Sequence, residues 1–160
     1  MNKNKLDDES PLMIQNKHFS NENSLAQYVE WDALARISFV SCTFENVQLG
    51  GKVFGTCSFQ NCIFNDFVVR KATFSNCCFE DCKITDSDMT RGDFYKTYFK
   101  NCEFSGVDLA ASDFHSCKFK KTKFFKSNLD LIIARNVKVW KSKEWVEIED
   151  FSSFQKDSDE

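Results

Sequence analysis

Residues 54–82 read FGTCSFQNCIFNDFVVRKATFSNCCFEDC, and their large apolar residues recur every five positions. A repeat at fixed period is the signature of a stacked architecture and outranks local propensity. Stepping by five in both directions from Phe59 gives Leu34, Phe39, Phe44, Leu49, Phe54, Phe59, Phe64, Val69, Phe74, Phe79, Ile84, Met89, Phe94, Phe99, Phe104, Leu109, Phe114, Phe119, Phe124 and Leu129. All twenty are large and apolar, with no insertion or slip. We call this position i. The residue two before it, i−2, is mostly small and weakly polar. Seven of the eight cysteines fall there: Cys42, Cys57, Cys62, Cys77, Cys82, Cys102 and Cys117. A free cysteine packs as a small buried hydrophobe, so packing accounts for the cysteine pattern. The eighth, Cys78, falls on an outward position.

This pattern resembles the pentapeptide-repeat family, whose units centre on Leu or Phe with a small residue two before it. The resemblance covers residues 34–132, about 60% of the chain. It implies an all-β fold: a right-handed quadrilateral parallel β-helix of about five coils, four units to a coil. It also implies that i and i−2 point inward and the other three positions outward. A further period of twenty supports that coil. Phe39, Phe59, Phe79, Phe99 and Phe119 form one column, and Phe54, Phe74, Phe94 and Phe114 another. Phe44, Phe64, Ile84, Phe104 and Phe124 form a third, while Leu49, Val69, Met89, Leu109 and Leu129 are aliphatic throughout. Cys42, Cys62, Cys82 and Cys102 make a ladder at i−2. At about 4.8 Å per strand the rod is roughly 24 Å long.

Three residues depart from the pattern. Lys52 follows Gly50-Gly51 at an inward site; the unit is expected to distort and the lysine to turn outward. Phe67 is large for a small-residue site, with the smaller Val69 beside it. Gly92 is expected to leave a gap beside Phe94.

The chain carries 18 Phe but only five Gly and one Pro, so its turns are made mostly by other residues. The formal net charge is −3, too small for strong long-range steering. Residues 34–131 carry 13 basic and 11 acidic side chains, so the excess acid sits in the flanks. No basic-then-apolar leader and no long apolar run are visible, and a cytoplasmic protein with reduced thiols and no membrane contact is expected.

Five segments are expected: a loose tail over 1–21, a helical cap over 22–33, the β-helix over 34–132, a C-terminal cap or hairpin over 133–154, and a disordered acidic tail over 155–160. Asn23 or Ser24 is the expected helix cap, and Trp31 is expected to pack on the first coil. VKVW (137–140) and WVEI (145–148) alternate as a β-hairpin would. Trp140 and Trp145 are its candidate anchors for capping or for a dimer contact, with Phe151 and Phe154 beneath.

No catalytic, cofactor or metal site is expected. A linear cysteine ladder does not provide the tetrahedron zinc requires. Asp113, His115 and Ser116 are neighbours in sequence, but a triad needs a nucleophile within reach of an oriented base. Cys78 is the candidate reactive thiol. Asp66, Asp86, Asp88 and Asp108 form an acidic line beside Arg70, Lys71 and Arg91, which corner chemistry explains. The strongest surface signal is KFKKTKFFK at 118–126. Lys118, Lys120, Lys121, Lys123 and Lys126, with Lys100 one coil earlier and exposed Tyr95 and Tyr98, are candidate partner-binding residues.

The expected function is a non-enzymatic, rigid protein–protein interaction module with an unidentified protein partner, as a monomer or as a homodimer through the C-terminal segment. One alternative comes from the resemblance: some members bind type II topoisomerases as acidic DNA mimics and protect them from quinolones. The mixed charge here departs from that pattern, and no projecting loop interrupts the repeat. The other alternative is an anionic partner on the lysine patch, with nucleic acid disfavoured.

Overall fold

The computed structural model describes residues 10–155. The chain winds into the expected quadrilateral β-helix. On the first face, Ile37–Val40, Ser58–Gln60, Cys78–Glu80, Tyr98–Lys100 and Lys118–Lys120 pair in parallel, with Phe39, Phe59, Phe79, Phe99 and Phe119 in register. The second face stacks Thr43–Glu45, Ile63–Asn65, Lys83–Thr85, Glu103–Ser105 and Lys123–Phe125. The third face is held by single bridges running Gln48, Val68, Asp88, Asp108, Asn128. The fourth stacks Ala33–Ala35, Val53–Gly55, Thr73–Ser75, Asp93–Tyr95 and Asp113–His115.

Each unit makes one short strand and one corner. Only the central residue of a three-residue strand faces inward, because side chains alternate along a strand. The corner is turned by residue i+2, which has φ between 45° and 70° at every unit from Arg36 to Asn136. L residues pay a steric penalty there, least for Asn, Asp and Gly. Asn46, Asn61, Asp66, Asn76, Asp81, Asp86, Asn101 and Asn136 suit the corner, and so do Gly51 and Gly106. Thr56 and Leu131 do not, and the solenoid holds them there regardless.

Where the i−2 side chain is Cys, Ser or Thr it adds a donor to strand carbonyls. Cys62 donates through Sγ to the carbonyls of Phe39 (3.5 Å) and Gln60 (3.4 Å). Cys82 and Cys102 repeat the arrangement on Phe59 and Phe79. Thr97 and Thr122 substitute a hydroxyl, each 3.2 Å from the carbonyl of Phe74 and Phe99 respectively. A second ladder of Cys57, Cys77, Thr97 and Cys117 serves the fourth face in the same way.

The departures resolve individually. Lys52 turns outward and its Nζ lies 2.6 Å from Asp32. Its unit is not distorted: Gly51 N donates to Arg70 O at 2.8 Å, as Lys71 N does to Thr90 O one coil later. Phe67 is buried against Phe64, ring centroids 4.9 Å apart, and Val69 is fully buried beside it. Gly92 leaves no gap. A Cβ there would lie 2.9 Å from the Phe94 ring, which leans into the space the missing side chain vacates.

The ends differ more from expectation. Of the expected tail over 1–21, residues 1–9 lie outside the described residues, and the rest is not loose. Leu12–Gln15 adds to the first face with Ile14 over Phe39, and His18–Phe19 adds to the second with Phe19 over Phe44 at 5.1 Å. These residues continue the five-residue phase, interrupted by Ser24. The helical cap is a 3-10 helix over Glu22–Tyr28, shorter than expected, and Asn21 caps it by accepting from Ser24 N at 3.1 Å. Leu25 reaches the core, and Tyr28 meets Phe19 edge-on. Trp31 does not pack on the coil; it is 93% exposed, at φ 51°.

The coil also outlasts residue 132. Ile133–Arg135 extends the fourth face with Ala134 beside Phe114, and Val137–Lys141 extends the first with Val139 beside Phe119. The hairpin then forms as expected, Val137–Lys141 against Glu144–Ile148. Its two-residue loop, Ser142-Lys143, has positive φ at both positions, the twist that two-residue hairpins favour. Phe151 lies 4.9 Å from Phe114, and Phe154 lies 4.9 Å from Phe124, so these two close the last coil. Among the described residues no helix is long and apolar enough to cross a membrane. The acidic tail, beyond Gln155, lies outside the described residues.

Phe79 stacks between Phe59 (4.6 Å) and Phe99 (5.1 Å). Phe79→Ala should therefore cost about 3–5 kcal/mol, read from the urea midpoint; a loss well under 1 kcal/mol would show that the columns do not hold the rod. Leu131 is 81% exposed at φ 57°. Leu131→Asn should raise the same midpoint by about 1 kcal/mol of stability, and an unchanged midpoint would mean the corner carries no strain.

Candidate functional site

The lysines of 118–126 divide among the surfaces. Lys118 and Lys120 stand on the outer side of the first face, flanking inward Phe119. The hairpin brings two tryptophans to them. Lys118 Nζ lies 5.1 Å from the Trp145 ring, and Lys120 Nζ lies 4.7 Å from Trp140. The two indoles meet edge-on at 5.2 Å, and Tyr98 meets Trp145 at 6.0 Å. A cation over an aromatic face is held by the ring quadrupole, by about 0.5–1 kcal/mol at an exposed site. The cluster thus orders two lysines on an otherwise flat strand surface.

Lys100 stands apart in its bonding. Its Nζ is 3.0 Å from Glu80 Oε1, and that hydrogen bond holds its pKa above the ordinary lysine value. Tyr95 is not part of the cluster; it sits on the fourth face against His115 at 5.4 Å, with Lys96 over its ring. Lys121 and Lys123 line a cleft of about 560 Å³ with Phe119, Thr122, Val139, Trp140, Lys141, Ser153 and Phe154. Lys126 sits at the next corner, at φ 45°.

Trp140 and Trp145 do not cap the coil; that is the work of Phe151 and Phe154. The tryptophans dress its side. The lysine Lys141 was not singled out from sequence, although hairpin alternation places Lys138 and Trp140 on one side and carries Lys141 to the turn.

The remaining signals dissolve into structure. Asp88 Oδ1 accepts from Thr90 N and Oγ1, and Asp108 Oδ1 accepts from Ala110 N, so the acidic line is corner chemistry. Asp113 meets Arg135 at 3.3 Å, His115 leans on Tyr95, and Ser116 accepts from Asn136. No hydrogen bond links these three as a triad would require. No cluster of metal-ligating side chains occurs among the described residues. All eight cysteines are free thiols.

Burial and thiol–thiol hydrogen bonds raise Cys42, Cys62, Cys77, Cys78, Cys82 and Cys117, whereas the hydrogen bond with Cys77 lowers the buried Cys57. Cys62 is pushed well above the ordinary thiol value by its hydrogen bond with Cys82 and by burial. Burial first of all pushes Cys117 up to about 11. Cys78 is half-buried, and burial followed by Glu80 raises it, with Lys100 opposing. A raised thiol holds little thiolate at neutral pH and reacts slowly, so Cys78, the one thiol that is not buried, is expected to react, but slowly.

Residues 54–91 and 93–130 match the family described as pentapeptide repeats, in eight copies. The chain belongs to the pentapeptide-repeat family. Among solved structures, the pentapeptide-repeat chain overlaps full-length QnrB1, described as a plasmid-mediated fluoroquinolone resistance protein, with a TM-score of 0.43 and 13% identity over 81% of this chain and 94% of that one. It overlaps Rfr23 from the cyanobacterium Cyanothece 51142 with a TM-score of 0.42 and 8% identity, covering 86% and 87%. It overlaps HetL, involved in heterocyst differentiation regulation in Nostoc sp. strain PCC 7120, with a TM-score of 0.27 and 7% identity, covering 80% and 85%. No match was found among curated proteins.

In the folded pentapeptide-repeat rod, a disulfide-forming thiol reagent at pH 8 should label at most one of the eight cysteines, Cys78, and slowly. All should react once the chain is denatured. Fast native labelling of several thiols would show that the coils open.

Proposed function

We propose that this pentapeptide-repeat protein is a non-enzymatic, rigid interaction module of the cytoplasm that docks a protein partner on its first face. The observation that carries the reading is the cluster of Tyr98, Lys118, Lys120, Trp140 and Trp145. Aromatic and cationic side chains on a pre-ordered surface are the chemistry in which binding energy concentrates. Pre-ordering matters because association otherwise costs about 0.5–1.5 kcal/mol for each side chain it immobilises. The neighbouring strands are short and tightly paired, so the surface docks without rearranging. Free thiols accord with a reducing compartment. A DNA mimic would need anions where this face presents cations.

The test is affinity capture of the tagged protein from native lysate, with bound proteins identified by mass spectrometry. A single dominant protein should be captured by the wild type and by Arg91→Glu. It should be lost from the combined variant Lys118→Glu, Lys120→Glu, Trp145→Ala, whose circular dichroism should stay unchanged. Capture that survives the combined variant would sink the reading. So would a wild-type dimer that this variant converts to monomer, because the cluster would then be a self-contact.

A further inference from the structure

The coil stops unevenly. On the first face a strand continues beyond Lys118–Lys120, and on the fourth one continues beyond Asp113–His115. On the second face nothing follows Lys123–Phe125, which pairs only with Glu103–Ser105 among the described residues. The cause is the hairpin. Five residues after Val139 the chain would have returned to the second face at Glu144, but Ser142-Lys143 sends it back along the first face instead. The helical turn Ser152–Gln155 closes part of the vacant place by laying Phe154 over Phe124. What is left is the cleft of about 560 Å³.

The lining of that cleft is two-sided. Phe119, Val139, Trp140 and Phe154 supply an apolar floor. Lys121, Lys123 and Lys141 supply three charges at the mouth, with no carboxylate among the lining residues. None of the three lysines forms an ion pair among the described residues. A second groove of about 360 Å³ shares Lys121 and Lys123 but is lined further on by Asp81 and Glu103 beside Lys83 and Asn101, so the purely cationic rim belongs to the first cleft.

We propose that this cleft binds an extended acidic peptide segment of a partner protein, added beside the open edge of Lys123–Phe125. One apolar side chain seats between Trp140 and Phe154, and flanking carboxylates meet Lys121, Lys123 and Lys141. Strand addition draws affinity from main-chain hydrogen bonds and selectivity from alternate side chains. Both are offered here: an edge without a partner strand, and a pocket beside a cationic rim. The inference rests on the binding-module reading and shares Trp140 with the first-face cluster, but it uses Lys121, Lys123, Lys141 and Phe154 in place of Lys118, Lys120 and Trp145, so variants at those residues let the two fail separately.

The probe is a fluorescein-labelled pentapeptide, Glu-Phe-Glu-Val-Asp, titrated with full-length protein and read by fluorescence anisotropy. Saturable binding is expected, weakened about tenfold or more by Lys121→Glu with Lys141→Glu, and unchanged by Lys126→Glu outside the cleft. A probe with the same side chains but a methylated backbone should also bind about tenfold more weakly, because it cannot donate to a strand edge. Amide shift changes should concentrate at Thr122–Phe125, Val139–Lys141 and Ser153–Phe154. Equal binding by the charge-reversed and wild-type proteins, or shifts confined to Tyr98, Lys118–Lys120 and Trp145, would overturn the proposal. Displacement of the probe by a twelve-nucleotide single strand that binds more tightly would overturn it in favour of nucleic acid. A concentration-dependent dimer abolished by Lys121→Glu would do so in favour of a second copy. Loss of lysate capture by the first-face variant with the peptide result intact would leave the cleft standing alone.

Discussion

Everything in this rod depends on matching one distance. Parallel strands repeat at about 4.8 Å, whereas carbon atoms pack best at about 3.5–4.0 Å. Rings stacked squarely at the strand repeat would leave a gap between them. Parallel rings slid past one another would remove that gap at the same repeat. Along the first face, centroids fall 4.6–5.1 Å apart with ring planes within 13° of parallel. Along the fourth they fall 4.4–5.1 Å apart, within 8°. That is the offset-stacked geometry aromatic pairs prefer. Adjacent columns meet edge-on or tilted, as Phe59 does Phe64 at 5.4 Å, so the core is one continuous aromatic array. The aliphatic third column is the exception, and it belongs to the face with single bridges instead of full strands.

A second constraint follows from the corners. Carbonyls along the interior keep a second lone pair after the backbone has used one, as Gln60 O does in accepting from Ser41 N. The i−2 position answers this with a side chain that is small enough for the interior and still carries a donor. Cysteine, serine and threonine meet both conditions, which is why Thr97 and Thr122 stand in ladders otherwise built of cysteine. The cysteine richness that first suggests a metal or disulfide scaffold is a hydrogen-bonding solution for a solenoid with little room inside. Val47, Phe67, Ala72 and Val107 carry no such donor and fill the interior instead, while the Phe67 amide donates to the Ser87 hydroxyl.

The periodic part of the fold was legible because each unit meets the same environment. The register of all four columns follows from counting by five. What counting missed lay where the environment changes. Ile14 and Phe19 hold the phase, but Ser24 breaks it, since Leu25 on a 3-10 helix takes over the interior role. Ala134 and Val139 hold it too, in residues too small to announce a core position beside the phenylalanines. Gly92 was misread because an absent side chain was taken as absent volume, when a neighbouring ring occupies it. The proposed binding surface was half legible: the lysine run stood out, but its partners Trp140 and Trp145 come from a hairpin whose side of approach no spacing encodes.

A solenoid this regular has little means of being specific along its length, where successive coils present similar short strands. Specificity has to come from where the repetition fails. Here it fails chiefly at the C-terminal end, and there the cationic, aromatic and open-edge features collect. The same hairpin turn at Ser142-Lys143 lays tryptophans across Lys118 and Lys120 and withholds the next strand from Lys123–Phe125. One reversal of the chain therefore closes one face and opens another. Rigidity supplied by the aromatic columns holds both surfaces in fixed relation, so a partner touching one meets the other at a set distance and angle.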